Sequence, residues 1–278
     1  MSFTWSPKER PPEVRITPLG WVLVLMRGLP LLCAILIGVT VIAALRLVER
    51  PLHGASRPWT PWITVVFSRI VLALLRVRHQ VKGHMMAHPG ALVANHSSWL
   101  DIFTLNAVSP MYFVSKAEVA GWPGIGFLAR ITGTVFIARD RAQARAQKDI
   151  FEDRLHAGHR LLFFPEGTST DNFRVLPFKS TLFEAFFTQD LRETLYIQPV
   201  TVAYTAPPGQ DPRFYGWWGD MDFGPHALML LAQPKGGSVD VVFHPPVPVR
   251  SMANRKAMAA AMEKAVRQGM PEGRQVAH

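Results

Sequence analysis

His96 and Asp101 stand with four residues between them in Asn95-His96-Ser97-Ser98-Trp99-Leu100-Asp101, and this pair is the part of the chain best suited to chemistry. The apolar run 91–94 before it reads as a buried strand. Residues 102–105 after it begin a helix, with Ser97 or Ser98 as the N-cap. His96 then occupies a strand-to-helix turn, and Asp101 follows about one helical turn later. From there the carboxylate accepts the Nδ1 proton of the imidazole and leaves Nε2 facing outward as a base. A base oriented by a carboxylate is two thirds of a Ser-His-Asp arrangement. The nucleophile is either a serine of the protein or a hydroxyl that the substrate brings. A metal site would need a third and fourth ligand. His84 and His88 are near in sequence but precede the strand.

A second buried-strand pattern, 160–164, runs straight into Pro165-Glu166-Gly167-Thr168-Ser169-Thr170. Two further blocks stand beside these. Residues 116–124, beginning at Lys116, lead to Gly133-Thr134-Val135-Phe136-Ile137-Ala138-Arg139, and Ile197-Gln198-Pro199-Val200 comes last. In this order the four blocks resemble the glycerolipid acyltransferase family, over roughly residues 80–205. Either short motif alone would be weak, whereas four ordered blocks are specific.

The resemblance implies an enzyme that moves a fatty acyl group from a thioester on acyl carrier protein or coenzyme A to the hydroxyl of a lysolipid acceptor. It implies no metal and no bound organic cofactor. His96 is then the base and Asp101 its orienter. Glu166, Gly167 and Thr168 shape the acceptor site, Arg139 binds the acceptor's phosphate, and Lys116 is a second candidate for an anionic group. Pro199, which centres the last block, is counted with the substrate-binding residues. Gly167 would allow close backbone approach, and a backbone N–H in that turn could stabilise a tetrahedral oxyanion.

Ser169 is the informative departure. Many lysophosphatidic acid acyltransferases carry arginine there, whereas this chain has Ser169-Thr170-Asp171. A dianionic phosphate would then be held less tightly, or by Arg174 and Lys179 instead. With Leu176-Pro177-Phe178-Lys179 after it, the segment looks like the bacterial branch that acylates lyso-ornithine lipid, whose acceptor carries a carboxylate and an amine. Lysophosphatidic acid remains an alternative acceptor, alone or alongside.

Short β-rich runs near 80–82, 91–94, 111–114, 134–137, 161–164, 196–202 and 239–243 alternate with helical patterns near 98–107, 126–131, 141–157, 182–188 and 252–267. This predicts an α/β fold with a central sheet covered by helices, and the resemblance implies that the sheet is mixed, as in a glycerol-3-phosphate acyltransferase-like fold. Residues 207–225 read as a long irregular loop whose aromatics either form a membrane-facing lip or pack underneath it.

The chain has 278 residues, 49% hydrophobic and only 18% charged. The apolar excess gathers near the N-terminus. Residues 28–45 carry no charge and are bracketed by Arg27 and Arg46, a length at the lower edge of a bilayer span. A second apolar stretch, 62–75, contains Ser68 and Arg69 and suits an interfacial helix. A buried core helix and a signal peptide compete for the first stretch, but no small-residue cleavage site follows it cleanly. The expected organisation is a tail over 1–18, membrane-anchoring helices over 19–78, the acyltransferase domain over 79–250, and a C-terminal helix and tail over 251–278.

Thirty Lys and Arg against twenty Asp and Glu give a net charge of +10. Scattered basic residues without a nucleic-acid motif point to anionic membrane lipids as the partner, not nucleic acid. The resemblance implies the bacterial inner membrane, with the catalytic part on its cytoplasmic face. Cys33 is the single cysteine, so there is no disulfide framework. Two rival functions remain. A serine hydrolase lacks the G-x-S-x-G elbow, and a non-catalytic lipid-binding protein would not need His96, Asp101 and Glu166.

Overall fold

The computed structural model of the chain describes residues 4–6, 15–137 and 144–274. Its eight strands are β1 (Arg78–Lys82), β2 (Gly90–Ala94), β3 (Tyr112–Lys116), β4 (Val135–Ile137), β5 (Leu161–Phe163), β6 (Tyr196–Thr205), β7 (Ser238–Phe243) and β8 (Val247–Pro248). They form one sheet in the order β1-β7-β6-β2-β5-β3-β4, with β8 also pairing β6. From β6 through β2, β5 and β3 to β4 the strands run parallel. β7 is antiparallel to β6, and β1 runs parallel to β7. The sheet is therefore mixed, and each of the seven expected strands is present. The two-residue β8 is an addition, too short to carry a periodic signal.

Every residue of β2 is buried, because both faces of the central strands are covered. Ala91 and Val93 pack into one core, and Leu92 and Ala94 into the other. The first core is closed by α5 (Ala144–His156), a 3-10 segment (Ser180–Phe187), α6 (Gln189–Thr194) and α8 (Arg255–Gly269). The second is closed by α2 (Thr60–Leu74), α3 (Asp101–Asn106) and α7 (Phe223–Ala232). A further helix, α4 (Ile125–Thr132), leads into β4.

Three sequence expectations need correction. α3 starts at Asp101 with no side-chain cap, so neither Ser97 nor Ser98 serves as its N-cap. The stretch 182–188 is 3-10 rather than α-helix. And the apolar stretch bounded by Arg27 and Arg46 belongs to one 36-residue helix, α1 (Pro18–His53), that runs through both arginines. Arg27 can lie inside it because its guanidinium donates to the carbonyls of Leu231 (2.9 Å) and Gln233 (2.7 Å) at the end of α7. Arg46 is matched by Glu49 at 3.1 Å.

α1 is long and apolar enough to cross a membrane, yet it touches the domain near both ends. At one end an added Cβ on Gly20 would meet the Ala232 methyl at 3.2 Å. At the other, Glu49 accepts from the amides of Trp59 (2.8 Å) and Thr60 (3.0 Å). Leu25, Met26, Leu29, Leu32, Leu36 and Ile37 between these points are exposed. In the loop after β6, Phe214, Tyr215 and Trp218 are buried, so ordinary packing accounts for them.

Candidate active site

β2 ends at Ala94, and the chain turns into α3 through the six residues that hold the histidine. Asn95 sets the departure angle. Its side chain copies a strand partner, donating to Val202 O and accepting from Val202 N, both at 2.8 Å. The turn delivers His96 Nδ1 to Asp101 Oδ2 at 2.8 Å. Asp101 is fully buried and, as a carboxylate, accepts four bonds. Oδ2 also takes the amides of Ser97 (2.8 Å) and Ser98 (3.0 Å), and Oδ1 takes the Tyr204 hydroxyl at 2.7 Å. Thr104 Oγ1 lies 3.0 Å from the same phenol oxygen. Because the phenol proton goes to Asp101, Thr104 is the donor in that contact. Burial pushes the Tyr204 phenol well above its ordinary value, so it remains a donor.

With Nδ1 donating to Asp101, the lone pair of His96 is on Nε2. The ring stacks on Phe164, centroids 4.1 Å apart and 14° from parallel, which fixes the plane in which Nε2 points. His96 is 19% exposed, enough to meet a substrate.

Glu166 sits behind this turn, not in front of it. It is 1% exposed. Oε1 accepts the His96 backbone N–H at 2.7 Å, and Oε2 accepts that of Leu176 at 2.8 Å. Burial pushes its carboxyl up to about 8, against the pull of those two amides. Thr170 completes the seam, its amide donating to His96 O at 2.9 Å. The histidine backbone is thus held on both sides by the segment carrying Pro165-Glu166-Gly167-Thr168.

Gly167 adopts φ +70°, which favours glycine. Its N–H donates to Phe164 O at 3.0 Å, closing the turn, so that amide is not aimed at an oxyanion. An added Cβ there would lie 2.6 Å from Lys179 Nζ, which places the ammonium over the turn. Thr168 Oγ1 accepts from the Trp5 amide at 3.2 Å, and Ser169 is buried. Lys116 ends β3 and is half-buried. Pro199 lies inside β6 opposite Val93, where the neighbour of β6 changes from β8 to β7 and a missing N–H leaves no ladder bond unmade. Its place in the last motif block reflects the sheet, and it does not line the cavity beside His96. Arg139 lies outside the described residues.

That cavity, about 620 Å³, opens beside His96 and is walled by apolar residues of α1, α2 and α4 together with Trp99 and Phe103. Its shape and lining suit an acyl chain. Sequence reasoning missed Tyr204, Asn95 and the Glu166–His96 bond as parts of the site. Only Asn95 had a local signal, its position beside the histidine.

The acyltransferase family profile matches residues 76–203. The chain is 56% identical over 266 residues to a lyso-ornithine lipid O-acyltransferase of Rhodobacter capsulatus, covering 96% of each chain. It is 38% identical over 224 residues to the protein of that name from Brucella abortus, covering 75% of this chain and 82% of the other. The chain belongs to the acyltransferase family. The crystal structure of the 1-acyl-sn-glycerophosphate acyltransferase PlsC from Thermotoga maritima has the same fold, with a TM-score of 0.63 at 17% identity, covering 90% of this chain and 95% of that one.

Two measurements follow for this acyltransferase. Tyr204→Phe removes one of the four bonds to Asp101, a charge-assisted bond of about 1.5–3 kcal/mol. We expect kcat to fall about 10-fold with KM unchanged; an unaltered kcat would show that the phenol does not help hold Asp101.

The second concerns His226, which is buried and accepts the Trp99 indole N–H on Nδ1 at 2.8 Å. Burial lowers His226 from 6.5 to about 4, partly offset by the carbonyls of Phe214 and Gly216. The unfolded chain therefore takes up a proton at this site before the folded one does. Its contribution is present above pH 6.5 and is lost as pH falls towards about 4, by up to about 1.4 kcal/mol per pH unit. Denaturation midpoints of wild type and His226→Gln should converge over that window. Parallel curves would refute a neutral buried His226.

Proposed function

We propose that this acyltransferase moves a fatty acyl group from an acyl thioester, on acyl carrier protein or coenzyme A, to the hydroxyl of lyso-ornithine lipid. The observation that carries the chemistry is an Asp101-oriented His96, whose Nε2 makes no hydrogen bond among the described residues, beside an apolar cavity. The acceptor O–H gives its proton to Nε2 as its oxygen attacks the thioester carbon. The tetrahedral oxyanion then collapses, the C–S bond breaks, and the imidazolium returns the proton to the leaving thiolate. Asp101 stabilises the imidazolium while it lasts. The remaining demand on the protein is positioning, which the cavity meets by holding acyl chain near the base.

The acceptor assignment rests on the headgroup wall. Arg174 is matched by Asp171 through Nε–Oδ1 (3.2 Å) and Nη2–Oδ2 (3.0 Å), and it stacks on Trp5 at 4.8 Å. Its charge is therefore largely spent within the protein. Ser169 supplies no cation, and the Lys179 ammonium lies over Gly167. One ammonium suits a carboxylate better than a dianionic phosphate. Two relatives named for lyso-ornithine lipid support the same choice.

Membrane attachment belongs to the same reading. Because α1 is docked near both ends, it lies along the domain with its exposed apolar row in the membrane surface. The named relatives are bacterial, and the resemblance to them supports the bacterial inner membrane with the domain on its cytoplasmic face.

The test is a head-to-head assay in which membranes containing the protein receive labelled acyl carrier thioester with either lyso-ornithine lipid or lysophosphatidic acid. We expect product from the ornithine acceptor, and about a 10-fold higher KM for it in Lys179→Ala. Product from lysophosphatidic acid alone would overturn the acceptor assignment, and no product from either would overturn the enzyme reading.

A further inference from the structure

Away from His96, two guanidinium groups meet at the turn between α4 and β4. Arg57, from the connection between α1 and α2, donates to Ile131 O at 3.2 Å. Arg154, from α5, donates to Gly133 O. An added Cβ on Gly133 would contact Arg57 Nη1 at 2.3 Å and Arg154 Nη2 at 3.1 Å, so both cations lie against one glycine. Arg154 also covers the Tyr112 ring at 4.4 Å, and the His159 ring lies 4.3 Å from the same ring.

The electrostatics of this cluster are unbalanced. Among the described residues Glu49 is the one carboxylate that attracts either guanidinium, and it acts on Arg57 alone. Its own oxygens are already taken by Arg46, the amides of Trp59 and Thr60, and the Thr60 hydroxyl. Burial first, then the Arg46 charge, holds Arg57 below its ordinary value, and burial with the Arg57 and Arg46 charges does the same for Arg154. Burial likewise lowers His159 to about 4, so it is a neutral ring at neutral pH. Arg57 Nε and Arg154 Nε are buried without a hydrogen bond, and the His159 nitrogens are buried with only the Ala55 carbonyl close enough to oppose that fall, at longer range than a well-formed bond. His159 is 6% exposed, whereas both arginines are half-buried and so reachable from the surface. Unsatisfied buried donors are costly, and charged donors crowded together gain most from an oxyanion that bridges them.

We propose that Arg57 and Arg154, with His159 beside them, form an anion site that takes a phosphate group, namely the headgroup phosphate of an anionic membrane lipid. The position favours a lipid over a soluble ion. The end of α1 and the start of α2 that frame Arg57 carry exposed Leu47, Leu52, Trp59 and Trp62, residues suited to the headgroup level. The lipid source rests on the membrane attachment proposed above; the phosphate chemistry does not. A lipid phosphate here would tie the α1–α2 connection to α5 and to the end of α4. Ile131 and Thr132 of α4 also line the acyl-chain cavity, so lipid composition would reach the substrate site through this contact.

The experiment uses the full chain purified in a neutral detergent, with the unfolding midpoint read by tryptophan fluorescence. One arm adds inorganic phosphate against chloride at equal ionic strength. The other moves the protein into phosphatidylcholine vesicles with or without phosphatidylglycerol, with flotation of the same sample reporting membrane attachment. We expect phosphatidylglycerol to raise the midpoint saturably by about 2–4 °C. The double variant Arg57→Gln, Arg154→Gln should lose that rise and, in detergent without phosphate, be at least as stable as wild type because the repulsion is gone. A rise with inorganic phosphate but none with phosphatidylglycerol would overturn the lipid source. No rise in either arm, or the same rise in the double variant, would overturn the site. Failure to float would refute membrane attachment while leaving the phosphate arm to judge the site.

Discussion

His96→Ala should lower acyl transfer by about 10²–10⁴-fold, the range a positioned general base contributes, and the loss should be in kcat with KM for the acceptor nearly unchanged. The fold should survive. The imidazole is partly exposed, and Asp101 keeps its bonds from Ser97, Ser98 and Tyr204 when Nδ1 is gone. Glu166 holds the backbone of residue 96, not its side chain, so the turn stays anchored. Flotation and unfolding midpoint should therefore match wild type. Turnover equal to wild type in this variant would sink the base mechanism outright. The same assay without lysolipid separates the hydrolase rival, since acyl release to water at the transfer rate would favour hydrolysis over acyl transfer.

The parts of this site that were legible in the sequence are those held together over a few residues. His96 and Asp101 meet because a strand end and the first turn of a helix fix their separation, and strand and helix patterns are local properties. Tyr204 was not legible. It reaches Asp101 from β6, 103 residues away, and nothing around it differs from any other buried strand residue. Attention fell instead on Pro199, whose position follows from where β7 hands over to β8.

Glu166 shows a subtler limit. Its motif marked it as important, but only the fold shows that both oxygens face inward to amides. The length of α1 was misread for an electrostatic reason. Arg27 and Arg46 look like ends of an apolar span, yet the α7 carbonyls satisfy Arg27 and Glu49, one turn further along the same helix, satisfies Arg46. α7 was hidden by the Gly-, Pro- and Trp-rich loop before it, and by Gly224 and Pro225 in its own first turn.

Glu166→Gln should be nearly as damaging as loss of the histidine, though the two side chains have almost the same shape. A carboxyl offers a lone pair at each oxygen, whether ionised or, as its value of about 8 favours at neutral pH, protonated with the hydroxyl hydrogen turned away from the amides. Both are used: Oε1 by His96 N at 2.7 Å and Oε2 by Leu176 N at 2.8 Å. An amide keeps one acceptor and turns an N–H₂ towards the other backbone N–H. Whichever way it flips, one buried amide loses its partner and faces another donor, which costs about 2–3 kcal/mol. If the lost bond is the one to His96, the turn shifts and Nε2 leaves its place beside the cavity. A misplacement of about 1 Å at the reacting group costs on the order of 100-fold. We expect kcat to fall about 100-fold together with a lower unfolding midpoint. Had Glu166 bound the acceptor directly, the variant would raise KM and leave stability alone. That outcome would move Glu166 from holding the histidine to touching the substrate.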